Sequence, residues 1–269
     1  MDVKIEPMAI STPRPGAPAL EKGLDVLELL ATEARGLTQK QIAERVGRSV
    51  GEIFRMLGVL EQRGYVARDR RTGDYTLTLQ LFRLATHYPP TRRLQQAALP
   101  VMEALAASNS LSCHLSVLNG SNFLVAATAE PDWPMGWTVK LGAVFPLSME
   151  YASARVLAAF QHETRRVELA NIIARHDKTK LAAVLAAITT ITSAGGDFSS
   201  TELDHGVTSL SCPVLDPSGR AAAALTVPLL REVGKRVDEA AIAARLRDAA
   251  RRISSVIGAP AHGAMPEFG

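Results

Sequence analysis

Apolar side chains recur at helical spacing in the first third of the chain and predict three helices. The first helix carries an apolar stripe that needs a covering partner, made of Leu20, Leu24, Leu27 and Leu30. Thr38 is suited to cap a second helix, and Gly47 separates it from a third helix over about 49–63. Ser49 and Glu52 show the capping-box pattern at the start of this third helix. Its inward positions are Ile53, Leu57 and Leu60.

Two short runs of β-prone residues follow the third helix. The runs 65–68 and 75–79 flank a polar turn that contains Gly73, which predicts a hairpin with Arg70 and Arg71 at its tip. Short helices at this spacing followed by a hairpin predict a winged helix-turn-helix. The hairpin is then the wing of that unit.

Strands and helices alternate in the remainder of the chain. The predicted elements are a helix over 92–107, a hairpin over 113–127, a strand over 137–141, a helix over 149–160, two helices ending near 192, a hairpin over 209–229 and a helix over 237–257. About six strands with helices packed on them are typical of an α/β sensor domain. The predicted fold class is α+β, with a winged helix-turn-helix, a linker helix and an α/β domain.

Prolines and glycines mark the predicted boundaries. Pro89 and Pro90 should stop a helix and force the adjacent chain into an extended conformation. Both ends of the chain are rich in proline and glycine and lack apolar periodicity. The predicted organisation is a disordered arm over 1–18, a winged helix-turn-helix over 19–79, a linker over 80–92, an α/β domain over 93–258 and a disordered tail over 259–269.

Positive charge is concentrated in the predicted winged helix-turn-helix. The net charge is +3, with 13 Lys and Arg against 9 Asp and Glu in residues 19–93, and 17 against 18 elsewhere. Seven arginines fall within residues 45–71, together with three acidic residues. Such a local excess is expected of a surface that meets phosphates, although a solvated charged face would look the same.

The third helix has the two-sided character that the DNA major groove demands, since one face must pack on the domain while the other offers polar or small side chains. Its outward side carries Arg48, Ser49, Gly51, Glu52 and Arg55. The arginines are suited to guanine or phosphate, glutamate to a donor such as the cytosine amino group, and glycine to close approach. The hairpin tip would lie near the flanking backbone or minor groove. A small scaffold or protein-interaction module is the alternative.

Nothing in the sequence matches a known catalytic or metal-binding pattern. Cys113 and Cys212 are too sparse for a disulfide framework or a metal knuckle, and we expect both to be buried. His114 and Cys113 are neighbours on a strand and should point to opposite faces. We therefore predict no catalytic residue, no cofactor and no metal. The open alternatives are a metal-binding sensor or enzyme built from the region of Cys113, His114, His205 and Cys212, and an assembly module that never contacts DNA.

The sequence also bears on location. No run of about 18 uncharged apolar residues occurs, and prolines interrupt the first 20 residues where a secretory signal would need an apolar core. We therefore expect a cytoplasmic protein that does not contact a membrane.

The chain resembles the IclR family of transcriptional regulators. In the first domain the likeness rests on the run Ala19 to Leu27, on Leu37-Thr38, Ile42-Ala43 and Val46-Gly47, on Arg55, on the run Leu60 to Val66, and on Tyr75-Thr76-Leu77. In the second domain it rests on Gly142, on Phe145-Pro146-Leu147, on Ala152 to Ala158, on Ala194-Gly195, on Glu202 and Gly206, and on Cys212 to Asp216 with Gly219. The likeness spans nearly the whole predicted ordered chain.

The resemblance implies a DNA-binding domain and a GAF-like effector-binding and oligomerisation domain. It further implies a homodimer or a dimer-of-dimers tetramer on a palindromic double-stranded DNA operator, and an effector pocket in the second domain. The predicted DNA-binding residues are Thr38, Gln39, Arg48, Ser49, Gly51, Glu52, Arg55, Arg68, Arg70, Arg71 and Tyr75. The effector-binding residues that the resemblance implies are Tyr151, Ala152, Ser153, Phe198, Ser199, Ser209, Ser211 and Thr226.

Several residues depart from the usual pattern of the family. Tyr151 stands where a smaller residue is usual, Ser199 where an acid is usual and Ser209 where a cysteine is frequent, and Val50-Gly51-Glu52 replaces a more usual Lys-Ser-Thr. The family's effectors and operator sequence are therefore not carried over.

A flat aromatic ligand is one candidate effector. It would lie among Trp133, Trp137, Tyr151 and Phe198, unless these rings are local core. A carboxylate would meet serine hydroxyls and the helix end near Ser148, and Arg155 would have to face inward to offset Glu150. The predicted function is sequence-specific transcriptional regulation, with repression favoured, modulated by a small organic effector such as an aromatic or carboxylate catabolite.

Overall fold

The computed structural model describes residues 17–87, 89–132, 137–199, 207–230 and 238–259. The chain divides into two compact units, residues 1–88 and 89–269. The predicted arm and tail lie almost entirely outside the described residues, as do Trp133, Glu202, His205 and Gly206. None of the helices within the described ranges is long and apolar enough to cross a bilayer.

The first unit contains three helices, a hairpin and a further helix. These elements are α1 (Pro18–Ala31), α2 (Gln39–Arg45), α3 (Val50–Gln62), β1 (Val66–Arg68), β2 (Tyr75–Leu77) and α4 (Gln80–His87). The strands pair antiparallel with Val66 opposite Leu77, as the sequence predicts. Both predicted caps are present, because Thr38 and Ser49 each close a capping box at the start of α2 and α3.

The core of the first unit uses only part of the predicted stripe of α1. Val26 and Leu30 are buried on the inner side of α1, and they pack with residues of α2, α3 and the hairpin. Leu20 and Leu24, however, are 63% and 47% exposed, so the described part of the first unit does not cover this part of the stripe. The stripe is offset around α1 from the buried side: Lys22, between the two leucines, pairs with Glu52 of α3, which leaves Leu20 and Leu24 facing away from this core.

The second unit is a five-stranded antiparallel sheet with helices on both faces. Its elements are α5 (Pro89–Asn109), β3 (Cys113–Asn119), β4 (Asn122–Ala129), β5 (Val144–Pro146), α6 (Ala152–Ala159), α7 (Glu163–Ile173), α8 (Lys178–Ala194), β6 (Val207–Leu215), β7 (Ala221–Leu230) and α9 (Glu239–Val256). The strand order is β5-β4-β3-β7-β6. β3 and β7 lie in the interior of the sheet, so their side chains point alternately towards the helices on one face and those on the other.

Each face of the sheet has its own apolar core. One face packs against α5 and α9 through residues that include Leu115, Leu225 and Leu246. The other face packs against α6, α7 and α8 through residues that include Phe123 and Leu157. Because side chains alternate along a strand, neighbours on β3 belong to different layers.

Two predicted elements differ from the structure. The chain at 89–92 is helical instead of extended, because α5 begins at Pro89 and proline is tolerated in the first turn of a helix. The run 137–141 is not a strand, and the strand in this region is β5 at Val144–Pro146. A turn comes before β5: Ala143 N donates to Lys140 O at 3.1 Å, and Gly142 adopts a φ of 79°.

Candidate functional site

The start of α3 is held in place by its own polar side chains. Glu52 Oε2 accepts hydrogen bonds from Ser49 N at 3.1 Å and Ser49 Oγ at 2.7 Å, while Glu52 N donates to Ser49 Oγ at 3.3 Å. Glu52 Oε1 pairs with Lys22 Nζ of α1 at 2.5 Å. The bond from Lys22 is the largest cause of a lowered pKa at Glu52, and the bonds from Ser49 come next. Together they lower this pKa to about 2.

These bonds give Glu52 a structural role. Both of its carboxylate oxygens are engaged, one in capping α3 and the other in linking α3 to α1. Glu52 therefore helps to position α3. Its side chain remains 34% exposed, and a carboxylate has about four acceptor sites, so the contact with a cytosine amino group stays a prediction.

The outward face of α3 is open and positively charged. Ile53 and Leu57 are fully buried on its inner side. On the outer side Arg55 is exposed and makes no ion pair with any residue that the structure describes, while Arg48 lies 3.7 Å from Asp25 of α1. A Cβ added at Gly51 would meet no atom within 4 Å. This surface can therefore approach a partner closely and offer it a guanidinium group.

Thr38 and Gln39 lie where α2 meets α3. The Thr38 hydroxyl accepts from Gln41 N at 3.3 Å, which caps α2. Gln39 Nε2 donates to Val50 O at 3.0 Å and so joins the first turn of α2 to the first turn of α3. Gln39 therefore helps to position the start of α3, and Thr38 stabilises the start of α2.

The tip of the wing is held by Asp69, whose carboxylate accepts from Arg71 N at 2.7 Å and from Thr72 N at 3.3 Å. This turn leaves Arg70 and Arg71 exposed. The guanidinium of Arg68 lies 5.5 Å from the centre of the Tyr75 ring, a cation–π contact at the base of the wing.

Tyr75 is placed differently from the prediction. It is only 3% exposed and belongs to the core of the first unit. Its backbone pairs with Leu37 through N–H···O bonds of 2.8 and 3.1 Å, which directs the side chain inward. The prediction that Tyr75 contacts DNA is therefore wrong, and the residue supports the wing from within.

In the second unit, one histidine and three hydroxyl side chains meet between the sheet and α6. Thr226 of β7 stands opposite His114 of β3 and Ser211 of β6. The Thr226 hydroxyl lies 2.8 Å from that of Ser211 and 2.9 Å from that of Ser153, in the first turn of α6. Nε2 of His114 lies 3.4 Å from the Ser153 hydroxyl. We call His114, Ser153, Ser211 and Thr226 the hydroxyl–imidazole cluster.

The cluster carries hydrogen-bonding capacity that the described part of the protein does not use. Nδ1 of His114 is buried and has no partner among the described residues, and the same holds for the hydroxyl of Ser116, two residues further along the same face of β3. Burial lowers the pKa of His114 to about 4, so its imidazole is neutral at pH 7. Unsatisfied buried polar atoms are costly, and a bound ligand or water is one way to satisfy them.

A buried ion pair lies near this cluster. Arg155 Nε donates to Asp197 Oδ2 at 2.5 Å, with side chains 4% and 1% exposed, and Arg155 also donates to the carbonyl of Met149. The backbone of Asp197 pairs with that of Ser211 at 2.8 and 2.9 Å, so the ion pair fastens α6 to β6. Arg155 faces inward, but its charge is already balanced by Asp197.

The other residues of the predicted pocket are dispersed over several local contacts. Tyr151 packs against Phe123 and Phe145, with ring centres 5.6 and 5.3 Å away. The Phe198 ring lies 3.8 Å from the Arg247 guanidinium, and Trp137 is largely exposed. The remaining members are Ala152, which is buried, Ser199, which donates to Asp197 Oδ1 at 2.5 Å, and Ser209, which is half-buried on β6.

The structure therefore unites Ser153, Ser211 and Thr226 of the predicted set and adds His114. The prediction of the pocket did not include His114. The alternation of β3 was the available signal, because it sets His114 and Ser116 on the face opposite Cys113.

The two cysteines lie on the opposite face of the sheet from the hydroxyl–imidazole cluster. Cys113 and Cys212 are buried in the apolar core on the α5 and α9 side of the sheet, as expected. Burial raises the pKa of each thiol to about 12. Within the described ranges, no three His, Cys, Asp or Glu side chains converge as metal ligands. His205, which the alternative site would need, lies outside those ranges.

Known proteins resemble the chain over nearly its whole length. The IclR helix-turn-helix domain matches residues 19–70, and the bacterial transcriptional regulator IclR C-terminal domain matches residues 87–255. The DNA-binding transcriptional repressor YiaJ of Escherichia coli is 26% identical over 96% of this chain and 94% of its own. The glycerol operon regulatory protein of Streptomyces coelicolor is 30% identical over 90% of this chain and 96% of its own.

Solved structures share the same fold. HmgR of Pseudomonas aeruginosa is 26% identical, with a TM-score of 0.68 over 90% of this chain and all of that one. An IclR homologue from Microbacterium hydrocarbonoxydans in complex with 4-hydroxybenzoate is 20% identical, with a TM-score of 0.71 over 89% of this chain and 98% of that one. With both of its units matched, this chain belongs to the IclR family of bacterial transcriptional regulators.

Proposed function

We propose that this chain is a repressor whose affinity for a duplex DNA operator changes when a small organic effector binds its second unit. The two-sided character of α3 carries this proposal. Ile53 and Leu57 hold the helix from within, while Arg55 and Gly51 face solvent on the other side. The description of YiaJ of Escherichia coli as a DNA-binding repressor favours repression over activation.

The contacts with the operator come from exposed positive and small residues. Base edges are read from the outward side of α3, and phosphates are contacted from the wing and from the start of α2. The residues assigned to this surface are Thr38, Gln39, Arg48, Ser49, Gly51, Arg55, Arg68, Arg70 and Arg71. Glu52, which helps to position α3, keeps its predicted contact with a cytosine amino group, and Tyr75 supports the surface from behind it.

A mobility-shift titration with the intergenic DNA beside the chain's own gene tests this proposal. We expect binding at least 1000-fold tighter than to unrelated duplex of the same length, the lower bound typical of specific recognition. Equal affinity for both duplexes would refute sequence-specific regulation and leave the assembly-module alternative. The titration should be run at two salt concentrations, because specificity has meaning only at a stated ionic strength.

The hydroxyl–imidazole cluster is our proposed effector site. Its hydroxyls and neutral imidazole offer hydrogen bonds without net charge, and the positive charge of Arg155 is already balanced. We therefore expect a hydroxyl or another uncharged polar group of the effector to lie against His114 and Ser153. A hydroxylated aromatic catabolite fits this chemistry, and the complex of the Microbacterium hydrocarbonoxydans homologue with 4-hydroxybenzoate supports the same class.

Thermal unfolding with 4-hydroxybenzoate as the probe tests the site. A ligand at 100 times its dissociation constant stabilises the native state by about 2.7 kcal/mol, which raises the melting temperature. Ser153→Ala should reduce this rise, whereas Ser193→Ala on the exposed side of α8 should not. If both variants respond as the wild type does, the effector site lies elsewhere. If the wild type does not respond, the panel extends to phenols and amides.

The remaining parts of the proposal concern assembly, location and chemistry. Operators of regulators with two-fold symmetry are palindromic, and the exposed Leu20 and Leu24 of α1 favour association of copies as a homodimer or a dimer of dimers. A regulator that binds chromosomal DNA acts in the bacterial cytoplasm.

We propose no enzymatic activity, because thiols with a pKa of about 12 are poor nucleophiles and His114 lies on the other face of the sheet.

The effector would act by a population shift. A ligand that prefers one arrangement of the copies stabilises that arrangement and changes the spacing of the two α3 helices on DNA. Small-angle scattering with and without ligand, measured beside operator affinity, tests this step. An unchanged scattering profile with changed affinity would contradict it.

A further inference from the structure

The outward side of α3 also carries an aromatic side chain. Phe54 is 59% exposed, although large aromatic residues normally contribute to a core, and it is not part of the core of the first unit. Arg55 follows it, so an apolar ring and a guanidinium both project from the solvent side of the helix, about 100° apart around its axis. An exposed apolar side chain within a positively charged surface fits a partner that is negatively charged and also presents a small apolar group.

Two glycines lie between these side chains. With about 100° of rotation per residue, the order around α3 is Phe54, Gly58, Gly51 and Arg55. A Cβ added to either glycine would meet no atom within 4 Å, so open space lies above the backbone at both positions. Phe54 and Arg55 therefore form the two walls of a shallow notch with Gly51 and Gly58 at its floor. We call these four residues the glycine notch.

The chemistry of the notch matches one feature of the major groove. The 5-methyl group of thymine is the apolar group that base edges present there, and phenylalanine is among the side chains that contact it. Arg55, in the other wall, can reach guanine or phosphate at the same time. We propose, resting on the operator binding proposed above, that Phe54 contacts the 5-methyl group of one thymine in each operator half-site, and that Gly51 and Gly58 let the backbone of α3 approach the groove.

Replacing thymine by deoxyuridine tests this directly, because it removes only the methyl group. The operator is first selected by the wild-type protein from random duplexes, and each thymine is then replaced in turn. We expect one position in each half-site at which the wild type loses about fourfold in affinity, the equivalent of one buried methyl group. Phe54→Ala should bind the two duplexes equally well, and Phe54→Leu should retain a smaller difference.

A matched control separates this effect from general loss of apolar surface. Val256→Ala removes an exposed apolar side chain from α9 in the second unit and should keep the full fourfold difference. The proposal is overturned if no thymine shows the effect, or if both Phe54 variants keep it in full. Phe54 would then serve another partner, such as a second copy of the chain. A wild type that selects no motif would instead refute sequence-specific binding itself.

The glycines provide a second, independent readout. Neither has a positive φ, and alanine fits at both without a clash, so Gly51→Ala with Gly58→Ala should raise the melting temperature of α3 and its unit. The same double variant should weaken operator binding by tenfold or more, because two methyl groups fill the notch. Unchanged operator affinity in this folded variant would refute the close approach of the backbone.

Discussion

Replacing Asp197 by asparagine removes the balancing charge of a buried arginine. Arg155 and Asp197 are 4% and 1% exposed and lie 2.5 Å apart, so water cannot replace the lost partner. Asparagine keeps the size of the side chain and the backbone pairing with Ser211. Breaking such a buried pair from one side costs about 3–5 kcal/mol, because an uncompensated charge remains. Since most domains are stable by about 5–15 kcal/mol, Asp197→Asn should remove a large share of the stability of the second unit.

Urea denaturation followed by tryptophan fluorescence measures this loss. Both tryptophans of the chain, Trp133 and Trp137, belong to the second unit, so their signal reports that unit alone. The control is Asp248→Asn, which breaks the exposed pair with Arg251 and should cost less than about 0.5 kcal/mol. Equal losses in the two variants would refute the assignment of a buried, stabilising pair.

Three further predictions follow from the first unit and the cysteines. Glu52→Gln should destabilise the first unit at pH 7. The difference in free energy of unfolding between wild type and variant should shrink as pH falls from about 5 towards 2, because a carboxyl with a lowered pKa stabilises the native state only where it is ionised. Urea titrations at several pH values measure this difference. Arg70→Ala and Arg71→Ala should each make the negative slope of log affinity against log salt shallower by about 1, as measured by anisotropy titrations. Cys113 and Cys212 should not react with a thiol reagent in the folded protein at pH 7, and both should react after unfolding.

Local features of the fold were predictable because they depend on neighbours in the sequence. The capping box of Ser49 and Glu52 lies within one turn, and the burial of Ile53 and Leu57 follows from helical spacing. The same spacing did not show which side of α1 faces the core, because that depends on where α3 packs: Lys22 contacts α3, whereas Leu20 stays exposed. Helix formation at Pro89 was missed since a proline ends one helix and starts another equally well.

The candidate sites show the same limit. Arg155 had no predictable orientation, because its partner Asp197 lies 42 residues away and is brought close only by the packing of α6 on β6. His114 joins Ser153 and Thr226 through strand pairing that no local pattern encodes. The pairing of Glu52 with Lys22 of a different helix was likewise not predictable, because the two residues lie 30 positions apart.

Arg55→Ala is the sharpest test of whether the outward face of α3 reads bases. The measurement is the ratio of affinities for the selected operator and for unrelated duplex at one salt concentration. Arg252→Ala, at an exposed position of α9, is the charge-matched control. Loss of one arginine contact to a base should lower this ratio by about 5-fold to 150-fold, whereas the control should leave it unchanged. An unchanged ratio in Arg55→Ala would mean that this face of α3 does not read bases through Arg55.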